Sequence, residues 1–440
     1  MRISVIGTGY LGAVHAACMA ELGHDVLGVD TDAGKIAALT EGRAPFYEPG
    51  LPEILVSAVA SGKLRFTTSL ADAAAFADVH FICVGTPQLA GSLGADLSHI
   101  EAVIDGLAAH LTADCLVVGK STVPVGTAPR LAARLATLTA EGVTANLAWN
   151  PEFLREAFAV QDTLRPDRLV VGVTSAEDDA VLRRVYAPIL ASGTPYISTD
   201  LATAELIKVA ANAFLATKIS FINAVADVCE AAGADVVTLA DALGHDSRIG
   251  RRFLNAGLGF GGGCLPKDVR AFVARAAELG AADSVQFLRQ VDEFNDSRRH
   301  RAVSMARDLV GGTFAGQNVA VLGAAFKPET DDIRDSPALS VASTIHSEGA
   351  TVRIHDPRAS DNARQAHPEM EYTDTPEKAC EGADLVLHLT EWSDYREIDP
   401  ASLLAVVRTP RVLDGRNALP RAQWKAAGWT VRSMGVAVPA

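Results

Sequence analysis

The chain has 440 residues, 49% of them hydrophobic and 21% charged, and a formal net charge of −14. That length exceeds a single core and points to two or three domains of a soluble globular protein. The acidic balance argues against a nucleic-acid partner, which needs a basic surface to displace counterions, yet it allows a small anionic substrate at a local Arg/Lys cluster.

A strand over residues 3–7 (ISVIG) runs directly into Gly7-Thr8-Gly9-Tyr10-Leu11-Gly12 and then a helix. Gly7 permits a tight turn, Gly9 lets a pyrophosphate approach the backbone, and Gly12 allows close helix packing, while the helix N-terminus attracts phosphate. The next strand, DVLGVD (25–30), ends in Asp30. A carboxylate there accepts from a ribose 2′-OH and repels a 2′-phosphate, so NAD is expected rather than NADP. An ordinary glycine turn is the plain alternative, and the strand, helix and acidic residue together speak against it.

Further strands are expected at 79–85, 115–121, 146–150 and 168–173, alternating with Ala/Leu-rich helices, hence a parallel sheet with crossover helices. Polar residues follow two of them, in Val84-Gly85-Thr86-Pro87 and Lys120-Ser121-Thr122-Val123-Pro124. Such strand ends line the ligand crevice of a doubly wound sheet. Thr122 holds a cofactor group or a water there, or else caps a helix. Asn150-Pro151-Glu152-Phe153-Leu154-Arg155-Glu156 comes next. If helical, it sets Glu152 and Glu156 on one face, an arrangement suited to acid–base work. A solvated helix start rich in acids is the plainer reading.

From Leu201 to Ala232 no glycine or proline intervenes, which predicts one long helix serving as a domain spine or a dimer contact. Lys208 and Asn212 sit at i, i+4 among Ile207, Val209, Ala210, Ala211 and Phe214. The lysine either snorkels to water or faces a polar cavity, where the pair would stabilise an oxyanion.

GLGFGGGCLPKD, residues 257–268, sets Cys264 behind a run of glycines. Glycines let backbone pass close to a ligand, and Pro266 suits the first turn of a following helix. Cys264 would then precede a helix N-terminus beside Lys267, a setting that favours the thiolate and makes the thiol a candidate nucleophile rather than a buried core cysteine. The cysteines at 18, 83, 115, 229 and 380 lie in apolar stretches and read as core; no CxxC or zinc spacing occurs, so no metal and a reducing compartment are expected. The opening residues lack a signal-peptide core and no continuous apolar run reaches membrane length, so a cytoplasmic protein without a membrane partner is expected. Beyond a helical region to about 310, strands recur at 318–323, 351–356, 384–390, 411–415 and 429–435, with no second GxGxxG. A nicotinamide cofactor and a thiolate in one chain suggest oxidation of an alcohol to a carboxylate, the thiolate capturing the intermediate aldehyde.

GTGYLG, STVPVG, NPEFLREA, AELIKVAANAF, FLNAGLGFGGGCLPKD, GAAFKPETDDIRDSP and DGRN, in this order, make the chain similar to the nucleotide-sugar 6-dehydrogenases over essentially its whole length. The resemblance implies an α/β protein with two Rossmann-like doubly wound domains joined by a long central helix and a helical dimerisation region. Its parts would be an NAD domain (1–200), a central domain carrying the thiol loop (201–310) and a nucleotide-sugar domain (311–440). It implies UDP-glucose oxidised by two NAD to UDP-glucuronate, with GDP-mannose and UDP-N-acetylmannosamine as alternative substrates.

It implies Cys264 as nucleophile, Lys208 and Asn212 at the oxyanion, Asp268 supporting the lysine and the hydrolytic water, and Thr122 positioning that water near Glu152. NAD would be held by residues 7–12, Asp30, Lys35, Thr86, Thr122, Glu156, Lys267 and Arg334. The UDP-sugar would meet Glu152, Phe153, Leu154, Lys208, Asn212, Asn255, Gly257, Phe260, Gly261, Phe326, Lys327 and Arg416. Arg248 would reach into a neighbouring subunit, which implies a homodimer or higher homo-oligomer. Three positions depart from the common family pattern: Gly263 where serine is frequent, Ala157 where glycine is frequent, and Asn255 where some members carry lysine. Two other classes remain in view. A one-step hydroxyacid dehydrogenase has no use for the thiol loop, and a non-catalytic nucleotide-sugar binder has no use for Lys208, Asn212, Cys264 and Asp268 together.

Overall fold

The computed structural model describes residues 1–437 and resolves into two compact units, Met1–Ala211 with Ala274–Gly280, and Asn212–Val273 with Ala281–Ala440. In the first unit, β1 (Arg2–Ile6), β2 (Asp25–Val29), β3 (Leu64–Thr67), β4 (Val79–Ile82), β5 (Cys115–Gly119), β6 (Ala145–Trp149), β7 (Leu169–Gly172) and β8 (Tyr196–Thr199) form one sheet in the order β3-β2-β1-β4-β5-β6-β7-β8. The inner strands are apolar on both faces because helices cover both. Ile3, Val5 and Phe81 face a core shared with Ala13, Val14 and Ala17 of the helix Tyr10–Glu21; Ile6 and Ile82 face the opposite core with Ile104, Leu107 and Leu131. Strand order reverses between β1 and β4, which places the Gly7 turn and residues 83–87 side by side at the carboxyl ends.

The parallel expectation needs one correction. β6 and β7 pair antiparallel, through Trp149 and Gly172. β3 and β8 were not anticipated. Both are edge-region strands with half-exposed side chains, so neither has the continuous apolar run that marks the inner ones.

The helix Leu201–Ala232 spans the 32 residues expected of it. Among the described residues it is long and apolar enough to cross a membrane by length and composition, with a mean hydropathy of 1.4 over its most apolar window. It is not an unbroken apolar run, because Glu205 and Lys208 interrupt it. In the fold it buries Ala204, Val209, Ala213, Ala216, Ile222 and Ala226.

The second unit holds β9 (Asn318–Leu322), β10 (Thr351–His355), β11 (Glu371–Tyr372), β12 (Leu385–His388), β13 (Arg411–Asp414) and β14 (Thr430–Ser433), in the order β11-β10-β9-β12-β13-β14 with every pair parallel. Only the two-residue β11 was unforeseen. The turn after β9 also opens on a left-handed glycine, but no helix follows it directly, the next beginning at Pro337. Gly323 has φ of 114°, and the amides of Ala324 and Ala325 that follow donate to the carboxylate of buried Asp356, at 2.7 and 3.0 Å. The indole of Trp392 donates to the same oxygen.

Candidate active site

Three glycines shape the turn after β1. Gly7 has φ of 90°, a Cβ on Gly12 would lie 1.8 Å from the Gly7 carbonyl oxygen, and a Cβ on Gly9 would meet nothing within 4 Å. The helix that begins at Tyr10 has no side-chain cap and no acid in its first turn, so its leading amides face an open approach suited to phosphate. Asp30 lies beside it. Its carboxylate accepts from the Thr8 N–H at 2.9 Å, from the Thr8 hydroxyl at 3.2 Å and from Lys35 Nζ at 3.0 Å. Burial pulls the Asp30 pKa upward, but the Asp32 N–H, the Lys35 ammonium and the Thr8 N–H outweigh it and hold it below the ordinary value. An anion kept there suits a ribose diol. The residues present therefore fit a dinucleotide.

Beyond β4 and β5, Thr86 is buried and donates its hydroxyl to the Thr122 carbonyl at 2.7 Å. Thr122 does not cap a helix. The helix Thr127–Leu138 has Gly126 at its N-cap with no side-chain cap of its own, and Glu205 of the long helix supplies the acceptors, to the Gly126 N–H at 2.7 Å and the Ala128 N–H at 2.5 Å.

Residues 151–155 are irregular rather than helical, which corrects the expectation of Glu152 and Glu156 on one helical face. The residue before a proline avoids the helical region, and Glu152 Oε2 takes the Leu154 N–H at 2.5 Å, a local turn that competes with helix. Glu152 is not a solvated acid. It pairs with Lys208 at 3.0 Å, the two side chains being only 13% and 6% exposed. Lys208 thus does not snorkel. Removing either partner of so buried a pair costs about 3–5 kcal/mol. The ring of Phe153 lies under both Arg168 (3.9 Å) and Lys208 (5.6 Å). Leu154 and Glu156 are half-buried in the same stretch, and Glu156 is close enough to help push the Tyr10 phenol up, after burial and Glu48.

No sequence pattern assigns Lys120 a role. It is buried, and its Nζ donates to Asn150 Oδ1 at 2.9 Å; the Tyr186 hydroxyl donates to that oxygen at 2.5 Å, and Asn150 Nδ2 donates to the Val170 carbonyl at 2.7 Å. This network fixes the residue two before Glu152. Burial pulls the Lys120 ammonium down to about 8, assisted by the like charge of Lys208 and opposed by Cys83 and Glu152. Glu48 also went unnoticed. It is buried and accepts from the N–H groups of Ala157 (2.8 Å) and Ala159 (2.7 Å) and from the Tyr10 hydroxyl, tying the fingerprint helix to the stretch that follows Glu156.

In the second unit Cys264 is exposed and stands immediately before the helix Leu265–Glu278, its carbonyl accepting the Asp268 N–H at 3.0 Å. Of the other cysteines, those at 18, 83, 229 and 380 are buried and Cys115 is half-buried. Asp268 is 1% exposed. One of its oxygens accepts from Asn212 Nδ2 at 2.7 Å and the other from Lys267 Nζ at 2.5 Å. Asn212, Lys267 and Asp268 thus converge one turn beyond the thiol.

The glycines before Cys264 are required by close approach. A Cβ on Gly261 would lie 2.2 Å from the Asp335 carbonyl oxygen, one on Gly262 2.7 Å from the Phe326 ring, and one on Gly263 2.4 Å from the Arg334 guanidinium. Arg334 pairs with Asp332 at 2.6 Å, and Lys327 stands over the Phe326 ring at 5.8 Å. Arg416 is turned onto the protein itself, donating to the carbonyls of Leu389 (2.9 Å), Gly259 (2.9 Å) and Phe326 (3.3 Å). Asn255 accepts from Arg251 at 2.7 Å, and Arg248, with its side chain 87% exposed, pairs with Asp246 at 2.6 Å.

Three regions match the UDP-glucose/GDP-mannose dehydrogenase family: residues 1–190 its NAD binding domain, 202–297 its central domain and 320–421 its UDP binding domain. The chain is 42% identical over 437 residues to the UDP-glucose 6-dehydrogenase of Rhizobium meliloti, covering 99% of each chain. A UDP-glucose dehydrogenase from Pyrobaculum islandicum superposes with a TM-score of 0.91 at 37% identity, covering 99% of this chain and 98% of that one. A UDP-D-ManNAc dehydrogenase from Pyrococcus horikoshii superposes with a TM-score of 0.86 at 28% identity, covering 99% of both. With this agreement over its whole length, the chain belongs to the UDP-glucose/GDP-mannose dehydrogenase family, and its first sheet is the family's NAD-binding domain.

Proposed function

We propose that the chain oxidises C6 of UDP-glucose to the carboxylate, using two NAD and one water. The observation that carries this reading is the exposed Cys264 at a helix start one turn from the buried Asn212–Asp268 pair, in a chain with an open dinucleotide fingerprint. The 42% identity to a UDP-glucose 6-dehydrogenase favours glucose and uracil over the other sugar nucleotides.

NAD, when bound, accepts one hydride in each of two halves. In the first, the C6 alcohol gives up a hydride and a proton, and the Cys264 thiolate adds to the aldehyde carbon to form a thiohemiacetal. In the second, that carbon gives up its remaining hydride, leaving a thioester on Cys264. Water then adds, the C–S bond breaks and the carboxylate leaves. The sum is alcohol, two NAD⁺ and water to carboxylate, two NADH and three protons.

Lys208 and Asn212 donate to the oxygen that becomes anionic at C6. Glu152, held against Lys208, and Thr122 orient the attacking water, and Asp268 keeps Asn212 and Lys267 in place. Asp30 and Lys35 hold the adenosine ribose, and Thr86, Glu156 and Arg334 serve the rest of the cofactor. The backbone of 255–261, with Phe326, Lys327 and Arg416, receives the nucleotide. The division of labour is that of 1–200, 201–310 and 311–440.

The active form is a homodimer in the cytoplasm. Phe214, Phe221 and Val228 recur at seven-residue intervals on the long helix and are 66%, 56% and 65% exposed, a seam that a second copy of the helix fits. Arg248, projecting from the same unit, reaches the neighbour.

The test is a panel of UDP-glucose, GDP-mannose and UDP-N-acetylmannosamine, with NADH counted per sugar. Two NADH from UDP-glucose are expected, and one per sugar, or better turnover of another nucleotide, refutes the reading. Cys264→Ser is expected to bind UDP-glucose and form no acid; full turnover by that variant removes the thioester step.

A further inference from the structure

The loop that leads to the thiol carries five glycines between 257 and 263 and has no ladder of its own. Its buried backbone groups must find partners elsewhere: the Leu258 and Gly262 N–H groups donate to the carbonyls of Gly415 and Arg334, Arg416 donates to the Gly259 carbonyl, and three buried side chains serve Gly257 and Phe260. Asn223, on the long helix, accepts the Gly257 N–H at 2.8 Å. Arg298, on the helix Gln286–Leu309, donates Nε–H to the Gly257 carbonyl at 3.3 Å and is itself held by Asp227 at 2.6 Å.

Asn295 does the most. It lies one turn before Arg298 and is 1% exposed. Its Oδ1 accepts the Phe260 N–H at 2.8 Å, and its Nδ2 donates to the Phe260 carbonyl at 2.9 Å. One side chain thus presents to Phe260 the donor and acceptor that a neighbouring β-strand would present. The contact is tight: a Cβ on Gly259, where φ is 85°, would fall 2.3 Å from Asn295 Oδ1. The Phe260 ring in turn packs with Val269 and Val273 of the thiol helix and with Ala213 and Ala216 beside Asn212.

We infer that Asn295 is a positioning residue that fixes the reach of Cys264: its amide locks the Phe260 backbone, and the Phe260 ring sets the start of the helix that presents the thiol. Neither polar atom of the Asn295 amide is spent on reacting groups, and every link from it to Cys264 lies within one unit. This inference rests on Cys264 being the nucleophile proposed above.

A thiol displaced by about 1 Å from attack geometry loses rate on the order of a hundredfold. Asn295→Ala is therefore expected to lower kcat for NADH formation at least tenfold, while NAD binding, a property of the first unit, stays within twofold. The second readout needs no sugar. The rate of Cys264 alkylation by iodoacetamide, with Cys264→Ser as the blank, is expected to change at least threefold in Asn295→Ala and to return part of the way in Asn295→Ser, which restores one hydroxyl at the site. Activity and alkylation both within twofold of the parent overturn the inference, as does a fall in kcat with unchanged alkylation. Loss of NAD binding or of the near-ultraviolet circular dichroism in both variants also overturns it, by making Asn295 a folding residue. If the parent yields no NADH from any sugar nucleotide, the proposed function fails, and alkylation alone still decides whether Asn295 sets the thiol.

Discussion

Ala157 sits at φ 72°, a left-handed conformation that costs a residue with a Cβ about 1–2 kcal/mol. The fold imposes it because the Ala157 N–H must reach Glu48, at 2.8 Å, immediately after Glu156. Glycine there relieves the strain but adds freedom to the unfolded chain worth about 0.4–1 kcal/mol, so Ala157→Gly is expected to gain on the order of 0.5 kcal/mol. Urea unfolding measures this, and a loss of stability would show that Ala157 is not strained. The departure from glycine was legible in the sequence, whereas its partner was not. The same holds for Lys208. Its apolar neighbours leave snorkelling and burial both open, and the deciding contact, Glu152, lies in a distant loop that spacing cannot connect to it. Lys120 and Asn295 gave no signal at all, since a single polar residue in an otherwise ordinary strand end or helix has no pattern to stand out from.

Among the elements, the helix Thr127–Leu138 is capped from outside. Its leading amides are taken by Glu205, whose burial raises its carboxyl to about 7 against the pull of the Ala128 and Gly126 N–H groups and of Arg275. The folded state therefore keeps this proton from about 4.5, the ordinary value, up to about 7, where the unfolded chain has lost it. Stability drawn from Glu205 falls as pH rises through that window and is gone above it, by about 3.5 kcal/mol in all at about 1.4 kcal/mol per pH unit. The stability of the parent relative to Glu205→Gln should therefore fall by about 2.4 kcal/mol between pH 5 and pH 7.5, and a constant difference would contradict it. Elements buried on both faces were readable, as were the ends of the long helix, because nothing in 201–232 breaks it and Gly233 follows. The edge strands were not, because a half-exposed strand lacks the apolar run by which the others are found.

At the scale of the whole molecule, the seam of Phe214, Phe221 and Val228 predicts that Phe221→Asp converts a dimer to monomers, read by light scattering after gel filtration; an unchanged mass would place the subunit contact elsewhere. The repeated α/β rhythm announced two sheets, and the missing second fingerprint announced that they differ, but not how. Asp356 answers that. The first sheet leaves its leading amides exposed to an incoming anion, whereas the second has already neutralised its own with a built-in carboxylate. A diphosphate approaching that second turn would meet repulsion instead of bare dipoles. Phosphate contacts of the second unit therefore fall to the 255–261 backbone and the lysine and arginine side chains proposed with it, and the share carried by exposed side-chain charges weakens with added salt.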